Sequence, residues 1–265
     1  MWYEICKFEI HYRLRRWDTY LFFLFLLIFS LFGVEFVFEG IDLGMVKKNS
    51  PLVNAQTKGA ITGLSMLFVS IIMGVPILRD FQYKIAPLIY VNPISKKDYL
   101  VGRYLGAMVV LLFIFSAVLW GMILRAQMPW VNVDPYGSFQ WSNYLQPFVW
   151  VVLPIVFFGA SLFFETGTLT RKLMVVYTQG IFIFVLFMLT KAITHESWQA
   201  LLDPFSLTTL TLSTKHWTIV ERNTSLLPWG GAMLYNKLFW IVLGVAVLAF
   251  GYFKFLLNSL STNHT

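Results

Sequence analysis

The residues that most often carry metal or catalytic chemistry are sparse in this sequence. His195-Glu196 begins like the His-Glu-x-x-His helix of zinc proteases, in which both histidines bind the metal. Position 199 is Gln, so the second histidine ligand is missing. The four histidines are scattered along the chain, and a single cysteine, Cys6, excludes an internal disulfide and a cysteine-based zinc site. We therefore expect no metal site in this chain.

Phosphate-binding and nucleophile motifs are missing from the sequence as well. There is no Gly-x-x-x-x-Gly-Lys-Ser/Thr loop, which excludes ATP binding by that route, and no Gly-x-Ser-x-Gly elbow. We predict no catalytic residue and no cofactor-binding residue in this chain. The energy for any transport would have to come from a partner.

Charges inside apolar runs are the next candidates for function, because a charge within a membrane is costly. Glu35 lies near the outer end of the first apolar run, where it either faces a polar cavity or reaches the outer surface. Glu165 lies at the inner end of the fourth run, and we expect an interfacial ion pair with Arg171 or Lys172. Runs with so few charges argue against an ion pump or a proton-coupled transporter.

The composition indicates a membrane protein. Of 265 residues, 58% are hydrophobic and only 12% are charged, whereas soluble domains carry about 25% charged residues. The mean hydropathy of +0.69 agrees. A soluble enzyme, a disordered chain and a nucleic-acid-binding domain are thereby excluded. The basic pI of 9.4 fits lysine and arginine at cytoplasmic helix ends, facing anionic headgroups.

Six apolar runs approach the roughly 20 residues that a membrane-spanning helix needs. We predict an all-α fold, with one transmembrane domain over residues 1–265 and six transmembrane helices. Pro147 suits the start of the fourth and shortest helix, and Pro154 predicts a kink in it. Lysine and arginine are denser in the segments predicted to lie inside, so we expect both termini in the cytoplasm. The predicted spans are 19–38, 60–78, 101–124, 148–164, 173–190 and 238–257.

Three connecting segments have features of their own. Residues 1–18 alternate apolar and polar positions at helical spacing, which predicts an interfacial amphipathic helix; the alternative is a plain extension of the first span. The apolar stripe consists of Tyr3, Cys6, Ile10, Leu14 and Trp17, and the polar stripe of Glu4, Lys7, His11 and Arg15.

Residues 79–98 form a charged cytoplasmic loop that either docks on another protein or is an ordinary connector. Ser95 and Asp98 have the spacing of a capping box, so the third span should begin near Lys96. Residues 191–237 lie outside and contain apolar pieces too short to span, which predicts re-entrant segments or a small outer cap. Small-residue pairs, Gly59-xxx-Gly63 and Gly102-xxx-Gly106, allow close helix approach.

This layout, with the strings at 79–83, 93–106 and 214–223, resembles the permease subunit of type-2 ABC exporters, which serve drugs, polysaccharides and lipids. The strings are similar to a bacterial branch of the family, sometimes fused to a zinc aminopeptidase; no peptidase is assigned here. The resemblance implies a multi-pass protein of the bacterial inner membrane that exports a lipid, polysaccharide, peptide or drug-like substrate.

The resemblance also implies partners and site residues. A cytoplasmic ATP-binding subunit would carry ATP and Mg, and a second membrane domain, identical or homologous, would complete the translocation path. The ATPase-docking residues would be Arg79, Asp80, Phe81, Lys84, Ser95, Lys96, Lys97 and Asp98, and the pathway or gate residues Glu35, Pro228, Trp229 and Gly230.

Two other functions stay open from the sequence. A membrane-embedded lipid-modifying enzyme would need polar groups at one depth, and His195, Asp203, His216 and Glu221 all lie in the outer segment. A non-transporting membrane scaffold would need none. A neighbouring ATPase gene would favour the permease over both.

Overall fold

A computed structural model describes residues 1–39, 43–83, 94–128 and 135–255, apart from the side chains of Phe81 and Leu173. Every regular element in those ranges is a helix, which confirms the all-α class. A π-helical turn, Phe148–Val152, joins helix Ser142–Pro147 to helix Leu153–Thr170. In chain order the helices are α1 (Trp2–Leu14), α2 (Trp17–Leu31), α3 (Gly33–Val37), α4 (Pro51–Leu64), α5 (Met66–Gln82), α6 (Lys96–Arg125), α7 (Ser142–Pro147), α8 (Leu153–Thr170), α9 (Leu173–Thr190), α10 (Glu196–Leu202), α11 (Leu207–Ser213), α12 (Ile219–Thr224) and α13 (Gly231–Lys254).

Three continuous helical segments are long and apolar enough to cross a membrane: Lys96–Arg125, Ser142–Thr170 and Gly231–Lys254. The bent pair α4–α5 makes a fourth if it counts as one span. Several apolar helices could thus span a membrane, as a multi-pass protein requires. The predicted number of six is wrong for the described part of the chain, which provides three such segments, or up to four.

The first and fifth predicted spans are helical but short. The first run gives α2 with 15 residues, after which the helix breaks at Phe32. Fifteen residues extend about 22 Å, less than the hydrocarbon core of about 30 Å. The fifth run gives the apolar stretch Met174–Thr190, which is also below the length of a full span.

The second predicted span is broken where α4 meets α5. The two helices are bent by 51° at Ser65, whose hydroxyl donates to the Ile61 carbonyl at 2.7 Å. Serine and glycine are common at such kinks, and Gly63 lies beside this one. A Cβ on Gly63 would lie 2.9 Å from the Phe205 ring, so the glycine lets Phe205 pack against the bend.

The fourth predicted span is longer than expected. It begins at Ser142 and ends at Thr170, whereas the apolar pattern indicated only 148–164. Pro147 ends α7 instead of starting the span. The π-helical turn immediately before Pro154 locally changes the hydrogen-bond spacing, which suits a residue that has no N–H to donate.

Helix α6 carries three glycines where α1 and α2 cross it. A Cβ on Gly102 would lie 2.7 Å from Ile5, and one on Gly106 would lie 2.7 Å from Glu9. Gly121 admits Ser30 of α2 in the same way. The close helix approach predicted for Gly102-xxx-Gly106 is confirmed, and its partner is α1.

Segment 191–237, which the sequence predicts to lie outside, folds into the short helices α10, α11 and α12 and the start of α13. Asn236, on α13, is fully buried and holds the turn between α10 and α11. Its Nδ2 lies within hydrogen-bond distance of three carbonyl oxygens, those of Ala200, Leu201 and Asp203. The side chain of Ser206 donates to Asn236 Oδ1 at 2.9 Å and accepts from Lys237. The segment is therefore a packed cap tied to α13.

Candidate functional site

Five charged side chains from three helices form a buried cluster at the junction of α1, α5 and α6. Each of the five is less than one-tenth exposed. Burial of this kind is expensive unless each charge is paired and hydrogen-bonded. The members of this junction cluster are Glu9 and Arg13 of α1, Arg79 and Asp80 of α5, and Arg103 of α6.

Glu9 lies at the centre of the junction cluster. Its Oε2 accepts hydrogen bonds from Arg79 at 2.8 Å and from Arg103 at 2.6 Å. Its Oε1 accepts from Arg13 at 2.6 Å. A single carboxylate of α1 is therefore bound to both other helices.

The remaining charges complete the network. Arg103 donates a second hydrogen bond to Asp80 Oδ2 at 2.6 Å, and the Tyr99 hydroxyl donates to the same oxygen at 2.8 Å. Arg13 donates to the Ile72 carbonyl at 2.8 Å, which adds a contact between α1 and α5. The three helices are thereby linked by charge-assisted hydrogen bonds, the stronger class in proteins.

The charge balance keeps Glu9 ionised. Burial by itself would raise the pKa of Glu9, but the neighbouring Arg13, Arg79 and Arg103 outweigh it and lower the pKa to about 2. The guanidinium of Arg79 also lies 4.0 Å from the centroid of the Tyr12 ring. Three guanidiniums face two carboxylates, so the cluster as a whole is cationic.

Local sequence explains how the cluster assembles. Glu9 and Arg13 are four residues apart and share one face of α1, as Tyr99 and Arg103 do on α6. Gly106 leaves room for the Cβ of Glu9, so the two backbones come close enough for short hydrogen bonds. The buried face of α1 consists of Cys6, Glu9 and Arg13, of which the predicted apolar stripe contains only Cys6, while Tyr3 of that stripe is exposed.

Of the predicted docking residues, two belong to the junction cluster and are buried, namely Arg79 and Asp80. The side chain of Phe81 and the whole of Lys84 lie outside the described residues. Lys97 is exposed, and the Lys96 ammonium lies 4.7 Å from the Tyr252 ring centroid.

The predicted start of α6 at Lys96 is confirmed. Ser95 caps it by accepting from the Asp98 amide at 3.0 Å, and its hydroxyl donates to the Asp98 carboxylate at 2.8 Å. Asp98 also accepts from the Trp2 amide at 3.2 Å. The first turn of α1 is thus joined to the first turn of α6.

The predicted pathway residues occupy two places. Glu35 is paired with Arg125 at 3.0 Å and Lys48 at 3.4 Å. The Pro228 carbonyl accepts from the Trp150 indole at 3.2 Å, and the Trp229 ring packs on Trp150 with centroids 4.5 Å apart. Gly230 directly precedes α13. The structure does not bring Glu35 together with residues 228–230.

The expected ion pair of Glu165 with Arg171 or Lys172 is not found. The Glu165 side chain packs instead against Gly251 of α13. Its Oε2 is buried without a hydrogen-bond partner among the described residues. The α8–α13 packing, which the sequence pattern does not reveal, decides this position.

Several buried charges were not predicted from the sequence. Glu9 and Arg103 hold the junction cluster, and Lys58 and Lys237 are fully buried elsewhere. The Lys58 ammonium donates to Asn54 Oδ1 at 3.3 Å and lies 5.4 Å from the Tyr144 ring centroid. The available signals were the Glu9–Arg13 spacing and the glycine pair on α6, which mark a close crossing but do not name the partner.

Two of the four polar groups considered for an enzyme, Asp203 and Glu221, have structural partners. The Asp203 carboxylate accepts from the amides of Phe205 and Thr208, and Glu221 forms a capping box with Thr218. Hydrogen bonds from the Thr218 backbone and side chain lower the pKa of Glu221. Within the described ranges no three His, Cys, Asp or Glu residues are grouped closely enough to hold a metal ion.

Comparison with known proteins adds no family. A scan against protein-family models found no match to this chain, and a search of curated proteins found none either.

Proposed function

We propose that this chain is a membrane-embedded permease subunit driven by a separate cytoplasmic ATP-binding subunit. A second membrane domain, identical or homologous, completes its translocation path. The substrate class is a lipid, polysaccharide, peptide or drug-like molecule, moved outward across a bacterial inner membrane with both termini of this chain in the cytoplasm. ATP and Mg bind the partner.

The junction cluster is the observation that carries this proposal. A subunit moved by its partner needs a stiff connection between its docking surface and its transmembrane helices. Residues 79–98, the proposed docking loop, begin with two members of the cluster, Arg79 and Asp80. Those two residues are tied through Glu9 and Arg103 to α1 and to the long apolar helix α6.

The physical consequence is that the three helices respond as one unit. A displacement of the loop moves Arg79. Because Glu9 bonds both Arg79 and Arg103, α1 and α6 move together with it. Burial strengthens these bonds, because water does not screen them. Two packings of such a unit against the rest of the bundle would give inward- and outward-facing states.

The test is co-purification of the tagged full chain with an ATP-binding subunit encoded beside it, followed by ATPase assays in reconstituted membranes. The double variant Lys96→Glu/Lys97→Glu reverses two charges near the proposed docking surface and leaves the junction cluster intact. We expect it to lower recovery of the ATP-binding subunit by about tenfold, the scale of about 1.4 kcal/mol.

Lys215→Glu is the control, because it reverses one exposed charge in segment 191–237, which the proposed orientation places on the opposite side of the membrane. This control should recover as much of the ATP-binding subunit as the unmodified chain does. If the double variant also recovers that amount, docking at this loop is refuted. Absence of any ATP-binding partner from the purified material would refute the permease proposal as a whole.

A further inference from the structure

A cavity of about 240 Å³ opens at the corner between α1 and α2. Its walls come from five helices, with Tyr177 of α9 closing one side. Three arginines line it, namely Arg13, Arg16 and Arg79. The lining also has apolar side chains, which include Phe22, Val75 and Ile114.

The charge on the cavity wall is positive. Its carboxylate, Asp18, is held by Arg16 at 2.9 Å and by the Thr19 amide at 2.9 Å. Glu9 lies behind Arg13 and Arg79 and is not part of the wall. The three wall guanidiniums are offset by Asp18 and by Glu9 behind the wall, which leaves one positive charge in surplus for an anion.

The mixed lining selects an amphiphile. A free inorganic anion would use the arginines but gain nothing from the apolar side chains of the lining. A phospholipid places its phosphate against guanidiniums, which bind phosphate with two parallel hydrogen bonds, and its first methylenes against the apolar wall.

The position along the chain is that of a headgroup region. Helix α2 is strongly apolar, whereas α1 is not. The cavity lies at the junction between these two helices. Trp17 and Tyr20 are largely exposed beside it. Such aromatic residues are enriched at the membrane–water interface.

We propose that this cavity binds the headgroup of an anionic membrane phospholipid, with Arg16 at the rim as its principal phosphate ligand. Arg13 and Arg79 add to the attraction but are already engaged by Glu9. Arg16 is about half exposed and can turn toward a bound phosphate. The proposal requires neither an ATP-binding partner nor transport activity.

The test uses the full chain purified in a neutral detergent and titrated with phosphatidylglycerol, and binding is read by native mass spectrometry. Phosphatidylcholine provides the zwitterionic comparison, and inorganic phosphate the free-anion comparison. We expect phosphatidylglycerol to bind at least tenfold more tightly than either. Equal binding of phosphatidylcholine or of inorganic phosphate would overturn the proposal.

Two variants locate the site. Arg16→Gln removes the rim guanidinium and should weaken phosphatidylglycerol binding by about tenfold, as expected for a hydrogen bond to a charged group. Asp18→Asn removes the competing wall carboxylate and should strengthen phosphatidylglycerol binding. Arg15→Gln is the matched control, since Arg15 is the exposed neighbour with the same charge and does not line the cavity. An equal loss in Arg15→Gln, or no strengthening in Asp18→Asn, would overturn the assignment.

Discussion

Glu9 and Arg103 lie 94 positions apart in the chain, yet Glu9 Oε2 accepts a hydrogen bond from Arg103 Nη1 at 2.6 Å. Both side chains are almost completely buried. The bond fixes α1 across the start of α6, and the same oxygen also binds Arg79 at the end of α5. The arrangement of these three helices therefore depends on one carboxylate, and this dependence can be measured.

The variant Glu9→Gln removes the central charge and leaves three buried guanidiniums with one carboxylate. We expect it to destabilise the fold by about 3 kcal/mol, the scale found when one partner of a buried ion pair is removed. Thermal unfolding of the detergent-purified protein measures the effect. Glu4→Gln, on the exposed side of the same helix, should change the midpoint little, and a comparable fall there would contradict the central role of Glu9.

The pH dependence of stability follows from the pKa of Glu9. Its ordinary value of 4.5 is lowered to about 2 in the folded chain, so the unfolded state takes up a proton first as pH falls. The stabilisation is complete above about pH 4.5 and is lost between pH 4.5 and 2; it amounts to about 3 kcal/mol.

Unfolding midpoints measured from pH 7 down to pH 3 should decline more steeply for the unmodified protein than for Glu9→Gln, which has no proton to gain at this position. Parallel declines in the two proteins would mean that other carboxylates determine the acid sensitivity.

The variant Gly106→Ala tests the close crossing of α1 and α6. Its Cβ would lie 2.7 Å from Glu9 Cβ and 2.9 Å from the Cys6 carbonyl. Overpacking of this kind costs roughly 1–3 kcal/mol, despite the better helix propensity of alanine. At Gly137 the nearest atom is 3.5 Å from a Cβ, so Gly137→Ala is the control that should unfold at the normal temperature.

The variant Asn236→Ala should loosen the cap formed by residues 191–237. It leaves the carbonyls of Ala200, Leu201 and Asp203 without their side-chain donor, at a cost of about 2 kcal/mol or more. Limited proteolysis should then cut within residues 191–237 faster than in the unmodified chain. Asn223, which is partly exposed, bonds the Lys47 amide and the Met45 carbonyl rather than the cap itself, so Asn223→Ala should be cut at close to the normal rate. Cleavage of Asn236→Ala at the rate of the unmodified chain would show that other contacts hold the cap.

Cysteine labelling tests the proposed orientation. An impermeant maleimide should reach Lys97→Cys only from the cytoplasmic side and Lys215→Cys only from the outside. The native thiol contributes little background, because Cys6 is buried and its burial raises the pKa of the thiol. Labelling of both variants from one side would refute this topology.

Much of the architecture could be read from local sequence. Apolar runs of this length leave helices as the structures that satisfy the backbone in a membrane, and Ser95 with Asp98 marks the first turn of α6. The glycine pair on α6 predicted a close crossing. Each of these depends on residues within a few positions of one another.

The buried face of α1, the number of long spans and the partners of the charges were decided by tertiary structure. The residue pattern of α1 gives an apolar stripe but cannot show that Arg79 and Arg103 lie opposite Glu9. Burying a carboxylate is unfavourable by itself and becomes favourable only when distant parts of the chain bring compensating charge to it. Likewise, Phe205 packs beside Gly63 next to the bend at Ser65, a contact between residues far apart in the chain.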